Sequence, residues 1–237
     1  MIHVLVALCD NKTQGIRPVP KAIGNGDDPE HNLYWGASLG VKSWFSASPS
    51  WKLVSSTKGK APIMERLVFH DKAREAYLVA DAYRGSEMKE ALTRSFRFTR
   101  GLATEKLGSV AVGGSAGLVI FVGHNGLMDT SIPLPTTQEA RSPDVAVLCC
   151  KSRTFFSPHL VPAEPILLTN DSMAPEAYVV DAAINGWLAR ESAEAVARRA
   201  AVAYNKHQRC GSKGAWNLFK PISPARTEPD KGRQAHS

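Results

Sequence analysis

A histidine and a thiol each stand just past a short apolar run. Gly117-Leu118-Val119-Ile120-Phe121-Val122 leads into Gly123-His124-Asn125-Gly126, and Val145-Ala146-Val147-Leu148 leads into Cys149-Cys150-Lys151-Ser152. A thiol beside an imidazole is the minimal machinery of a cysteine nucleophile. The free thiol, with a pKa of about 8.5, is mostly protonated at neutral pH, and the imidazole accepts its proton. Acyl transfer also needs donors for the developing oxyanion. Gly126 lets the backbone approach a substrate carbonyl without a side chain in the way, and the Cys150 N–H is a second candidate donor. Cys149 is the rival nucleophile, because a one-residue shift exchanges the two faces of a strand. The bland alternatives are a buried core thiol at Cys150 and a hydrogen-bonded loop histidine at His124. Their joint placement at two strand ends favours the chemical reading.

The elements that must position this pair follow from the hydrophobic pattern. Short β-branched runs bounded by Gly and turn residues read as buried parallel strands. In open α/β sheets, ligands gather beyond the carboxyl ends of such strands. A first strand is expected over Val4–Cys9, opening into a long loop over residues 10–28 with Gly15, Pro18, Pro20, Gly24 and Gly26. Asp10 and Asn11 leave that strand at the same edge and are candidate substrate contacts, with simple turn formation as the alternative. Asp28-Pro29-Glu30 carries the signals of a helix start, predicting a helix to about residue 46. Short strands are expected near Trp51–Val54, Arg66–Phe69 and Ala76–Ala80, then a helix over about 86–98 capped by Ser86. Gly113–Gly117 precedes a strand, where a phosphate loop would follow one, so it reads as a flexible linker. Proline-punctuated loops follow each of the two site strands. Ile166–Thr169 is a last strand. Asn170 and Asp171 then read as caps for a helical region over about 173–207, broken near 190–192. Trp35 is expected in the core with its indole N–H partnered. Strands alternating with helices make this an α/β chain with a mainly parallel sheet.

Length and composition bound the remaining possibilities. The chain has 237 residues, 43% hydrophobic and 22% charged, enough for one large domain with a proper core. Its net charge of +7 is local: the stretch from Arg198 holds nine Lys/Arg against two acids and carries the whole excess. The expected division is a single domain over 1–210 and a basic, Pro-containing tail over 211–237. Such a tail can contact nucleic acid or an acidic surface, but a solvated terminus is the simpler reading. The four cysteines, Cys9, Cys149, Cys150 and Cys210, form no CxxC pair, so no zinc site is expected. Asn25–Asp28 lacks the ligand spacing of a calcium loop. No apolar stretch is long enough to span a membrane. No signal-peptide pattern precedes the first strand, and the expectation is a reducing cytoplasm.

The order His then Cys, each closing a strand, resembles the caspase–legumain–gingipain–separase group of cysteine peptidases. The matching text is Phe121-Val122-Gly123-His124-Asn125-Gly126 and Val147-Leu148-Cys149-Cys150-Lys151-Ser152. The resemblance implies a caspase-haemoglobinase-like three-layer sandwich and thiol protease activity on a peptide or protein substrate, with no cofactor and no metal. It makes His124 the general acid/base, Cys150 the nucleophile and Gly126 an oxyanion-loop glycine, with Cys149 in the place of the usual small residue. The chain departs from the pattern at Asn125, which separates His124 from Gly126, and in a His–Cys interval of 26 residues, short for caspases. It also lacks the frequent Gly after the cysteine tripeptide. The competing expectation is a non-catalytic module of the same fold whose basic tail supplies affinity.

Overall fold

A computed structural model describes residues 1–107, 110–137, 139, 141–160, 163 and 165–221. Nine strands are present among them: β1 (Ile2–Ala7), β2 (Lys52–Lys58), β3 (Ile63–Asp71), β4 (Ala76–Tyr83), β5 (Glu105–Leu107), β6 (Val110–Val112), β7 (Leu118–Val122), β8 (Asp144–Leu148) and β9 (Pro165–Leu167). Seven form one sheet in the order β2-β3-β4-β1-β7-β8-β9, while β5 and β6 make a separate hairpin. From β4 to β9 every pairing is parallel; β2 and β3 extend one edge as an antiparallel meander. The chain is therefore α/β with a mostly parallel central sheet. The runs expected at 4–9, 117–122 and 145–148 are the adjacent central strands β1, β7 and β8. They read as continuous apolar segments because both their faces are covered.

Alternation along these strands divides the core in two. Val4 and Val6 of β1, Ile120 and Val122 of β7, and Ala146 and Leu148 of β8 face one side. There they meet α1 (Val41–Ser46), α4 (Ala177–Leu188), α5 (Ala193–Gln208) and α6 (Ser212–Phe219). Leu5, Ala7, Val119, Phe121, Val145 and Val147 face the other side, against α2 (Met88–Thr99) and α3 (Ser152–Leu160). Phe96, Phe121 and Phe156 stack together there at centroid separations of 5.5 and 5.7 Å. Each fully buried aromatic of this kind is worth roughly 2–3 kcal/mol of transfer free energy. The same side carries a buried charge cluster in which Asp81 pairs with Arg66 and with His3 Nε2 at 2.9 Å. Burial works against the Asp81 charge, but the Arg66 and His3 hydrogen bonds hold its carboxyl below the ordinary range.

Several local expectations meet different outcomes. The helix anticipated from Asp28 begins only at Val41, because the polar side chains before it satisfy loop backbone instead. Asp28 accepts from the Glu30 N–H, and Asn32 bridges the Cys9 N–H, the Cys9 carbonyl and the Asn25 carbonyl. Side chains of this class compete with helix hydrogen bonding in this way. Trp35 is buried and donates to Glu65 at 2.6 Å, as expected of a core indole. The Gly113–Ser115 segment is a packed 3-10 turn, with Gly113 and Gly114 buried, not a loose linker. A Cβ at Gly114 would collide with the Gly101 backbone. The loop expected after Cys150 contains the helix α3, which accommodates Pro158 internally.

The boundary expected at residue 210 falls just before α6, whose Ala215, Leu218 and Phe219 are buried in the core. Asn170, expected to cap the next helix in the chain, instead closes the end of α6. Its Nδ2 donates to the Asn217 and Lys220 carbonyls, each at 2.9 Å. The domain thus continues at least to Lys220, and the proline-rich part of the expected tail, 222–237, lies outside the described residues. Within the basic stretch, Arg198 and Arg199 pair with Glu194 and Glu191, and Arg198 lies 4.4 Å over the Trp216 ring.

Candidate functional site

Register brings the ends of the histidine and cysteine strands level with one another. Val122 of β7 and Leu148 of β8 are direct partners in a parallel ladder. His124 and Cys150 each lie two residues beyond these partners, at the carboxyl edge of the sheet. The ladder runs one step further through Gly123, whose N–H donates to the Leu148 carbonyl at 3.3 Å. Gly123 then turns the chain at φ +143°, where a Cβ would stand 2.7 Å from the Ala7 carbonyl oxygen of β1. Only glycine meets both requirements, the positive φ and the close approach.

The two cysteines separate by strand alternation. Cys149 continues the Val145–Val147 face, is fully buried under α2 and α3, and has a thiol pushed well above its ordinary range by that burial. Cys150 lies on the opposite side and is partly exposed. Its Sγ accepts the Met173 N–H at 3.3 Å and lies 3.6 Å from the Met173 carbonyl, to which the thiol donates. Cys9, at the end of β1, is buried, and burial pushes its thiol up to about 11. Cys210 is exposed beyond the end of α5. Of the three thiols at the sheet's carboxyl edge, Cys150 is therefore the one combining access with polar contacts.

His124 is 6% exposed, and its Nε2 pairs with Asp129 Oδ2 at 2.6 Å. That carboxylate also accepts the Gly15 N–H at 2.9 Å, tying the loop after β1 to the histidine. Partial burial opposes the Asp129 charge, yet the Gly15 amide and the His124 ring hold its carboxyl below the usual range. A 3-10 turn over Gly126–Met128 folds Asp129 back onto the ring five residues upstream. Asn125 caps that turn by accepting the Leu127 N–H at 3.2 Å, and its Nδ2 donates to the Cys150 carbonyl at 2.6 Å. This fully buried side chain fastens the histidine loop to the cysteine loop. Among the described residues, no hydrogen bond joins His124 to Cys150, and the Cys150 N–H has no intramolecular acceptor.

The remaining expected site residues are occupied locally. The Gly126 N–H donates to the His124 carbonyl at 3.1 Å, and a Cβ there would collide with Met88 Cγ. Its absent side chain thus serves packing on α2, and its N–H is engaged in the turn. Asp10 accepts from the Lys12 N–H at 3.1 Å and the Thr13 hydroxyl at 2.6 Å. Asn11 brackets Val19, accepting its N–H and donating to its carbonyl. Both shape the loop after β1. A cleft of about 590 Å³ beside them is lined by Asn11, Lys12, Pro18, Val19, Lys21 and Asn25.

Sequence reasoning missed Asp129 and Asn125 as partners of the pair. An acid five residues after the histidine carries no periodic signal, because a 3-10 turn and not a regular helix closes the gap. Among the described residues, no group of three or more His, Cys, Asp or Glu side chains could hold a metal ion. No helix among them is long and apolar enough to cross a membrane. Compared with known proteins, the chain matches no family model, no curated protein and no solved structure.

Proposed function

We propose that the protein is a cysteine-dependent peptide hydrolase with a caspase-like arrangement, in which Cys150 is the nucleophile and His124 the general acid/base. The observation that supports this reading is the ladder partnership of Val122 and Leu148, each two residues before His124 or Cys150, at the edge where α/β sheets place their chemistry. Asp129 engages Nε2, leaving Nδ1 as the nitrogen for the thiol proton. The Cys150 thiol gives up that proton and its sulfur adds to the scissile carbonyl. The Cys150 N–H is available to the oxyanion. Collapse breaks the C–N bond, His124 returns the proton to the leaving amine, and water then hydrolyses the thioester. The order of the central strands and the two helical layers are compatible with a caspase-haemoglobinase-like sandwich.

The test is hydrolysis of a panel of basic, acidic and apolar peptide substrates by the wild type, Cys150→Ala, His124→Ala, the double variant and Cys149→Ala. Both site variants should lose turnover while keeping the fold, and the double variant should be no worse than either, as expected of groups acting as a unit. Cys149→Ala should stay active. An active Cys150→Ala overturns the assignment of the nucleophile. A wild type without turnover on the whole panel favours a non-catalytic binding module of the same fold.

A further inference from the structure

The loop that touches the Cys150 sulfur is itself held by a phenol from a helix distant in sequence. Consecutive amides of this loop point to different partners: the Met173 N–H donates to Cys150 Sγ at 3.3 Å, and the Ala174 N–H donates to Tyr204 Oη at 3.0 Å. We propose that Tyr204 of α5 is a positioning residue for the Cys150 thiol, acting through the Met173–Ala174 segment. The proposal rests on the reading of Cys150 as the nucleophile.

The segment has other ties: the Ser172 N–H donates to Asp171 Oδ1 at 2.7 Å, the Glu176 N–H donates to the Ala174 carbonyl at 2.9 Å, and the Met173 side chain is buried in the core. The Lys151 N–H donates to the Asp171 carbonyl on one side of it, and the Ala177 N–H to the Leu39 carbonyl on the other. The phenol is the side-chain contact that ties the amide after the sulfur's donor to another helix of the fold. Tyr204 is in turn rigid, 7% exposed, edge-on to Phe219 at 5.5 Å and tilted against Tyr178 at 6.2 Å. An amide directed at a sulfur favours its anionic form, the reactive one. Removing Oη leaves the partly buried Ala174 N–H without its side-chain acceptor, and a shift of the segment in response draws the Met173 amide off the sulfur. The titratable groups near Cys150 are Tyr34, Tyr204 and Cys149, with Glu176 beyond the two phenols and Cys210 beside Tyr204. Burial pushes the Tyr34 and Tyr204 phenols up, which keeps both protonated at neutral pH.

The experiment is the rate of iodoacetamide labelling of Cys150 against pH, followed by peptide mapping, in the wild type, Tyr204→Phe and Phe219→Leu. A small free thiol added to the reaction serves as the reference, because Cys210 itself lies beside Tyr204. A hydrogen bond of ordinary strength corresponds to about a fivefold effect. Tyr204→Phe should therefore slow Cys150 labelling roughly fivefold at neutral pH and displace its profile to higher pH, with thermal unfolding close to wild type. Phe219→Leu, which loosens the same packing without touching Oη, should lower the unfolding temperature and leave the Cys150 profile in place. An undisplaced profile in Tyr204→Phe overturns the proposal, as does an equal displacement in Phe219→Leu, which would assign the effect to packing. Labelling needs no turnover. A displaced profile in a protein that hydrolyses no peptide refutes the proposed function alone, and an undisplaced profile in an active hydrolase refutes the positioning role alone.

Discussion

Asn125→Ala isolates the contact that joins the two halves of the candidate site. The wild-type side chain is fully buried, donates to the Cys150 carbonyl at 2.6 Å and accepts the Leu127 N–H at 3.2 Å. Alanine leaves one backbone acceptor and one backbone donor without partners. Each buried group left unsatisfied costs roughly 1–3 kcal/mol, so the expected loss is about 2–4 kcal/mol after partial relaxation. Asn125→Asp is sharper, because it keeps the shape and the acceptor but turns the donor into a second acceptor facing the Cys150 carbonyl. Its buried carboxylate, facing a carbonyl oxygen, is disfavoured, so its pKa in the folded state is raised above the unfolded value. Stability contributed by such an acid is present below the unfolded value of about 3.9 and is lost as pH rises. Protonated at pH 4, the new side chain can still donate to Cys150; at pH 7 it must either bury a charge or leave the carbonyl unpaired. Urea unfolding of both variants and the wild type at the two pH values measures this. Asn125→Asp should approach the wild type at pH 4 and fall to the level of Asn125→Ala, or below it, at pH 7. An Asn125→Ala variant within about 0.5 kcal/mol of wild type, the range of ordinary surface changes, would refute the reasoning. So would an Asn125→Asp penalty that ignores pH.

Three further outcomes are expected from other contacts. Gly123→Ala should cost roughly 2–4 kcal/mol in thermal or urea unfolding, since it combines a positive φ with a Cβ 2.7 Å from the Ala7 oxygen; an unchanged midpoint would remove the strain argument. Asp129 is held below its ordinary range, so its contribution to stability is present above about pH 4 and disappears as pH falls through the lowered folded value. Asp129→Asn should therefore flatten the acid limb of the stability profile and leave its alkaline limb as in the wild type. Truncation after Cys210 should unfold or aggregate the protein, because it strips the buried Ala215, Leu218 and Phe219 from the core. Loss of a buried phenylalanine alone costs about 3–5 kcal/mol. A folded 1–210 fragment by circular dichroism and size exclusion would show α6 to be dispensable.

The chain's own pattern determined the parts governed by short-range rules. Apolar β-branched runs ending in Gly-His and Cys-Cys marked β7 and β8, and the break near Arg190–Ser192 separated α4 from α5, because periodicity and turn chemistry are local properties. The positions of His124 and Cys150 just past two strand ends were legible for the same reason. Tertiary structure decided the rest. Which cysteine is reachable depended on the strand register, which set Cys149 under α2 and α3 and Cys150 on the other side. The helix expected from Asp28 gave way to loop contacts made by Asn32 with β1, and the segment read as a tail became a core helix because Asn170 and the α5 face received it. Asp129, Asn125 and Tyr204 carry no mark in the sequence, since each acts through one hydrogen bond whose partner is chosen only when the backbone closes. Local patterning specifies which segments form strands and helices; the partners of single polar groups are set by packing between segments far apart in the chain.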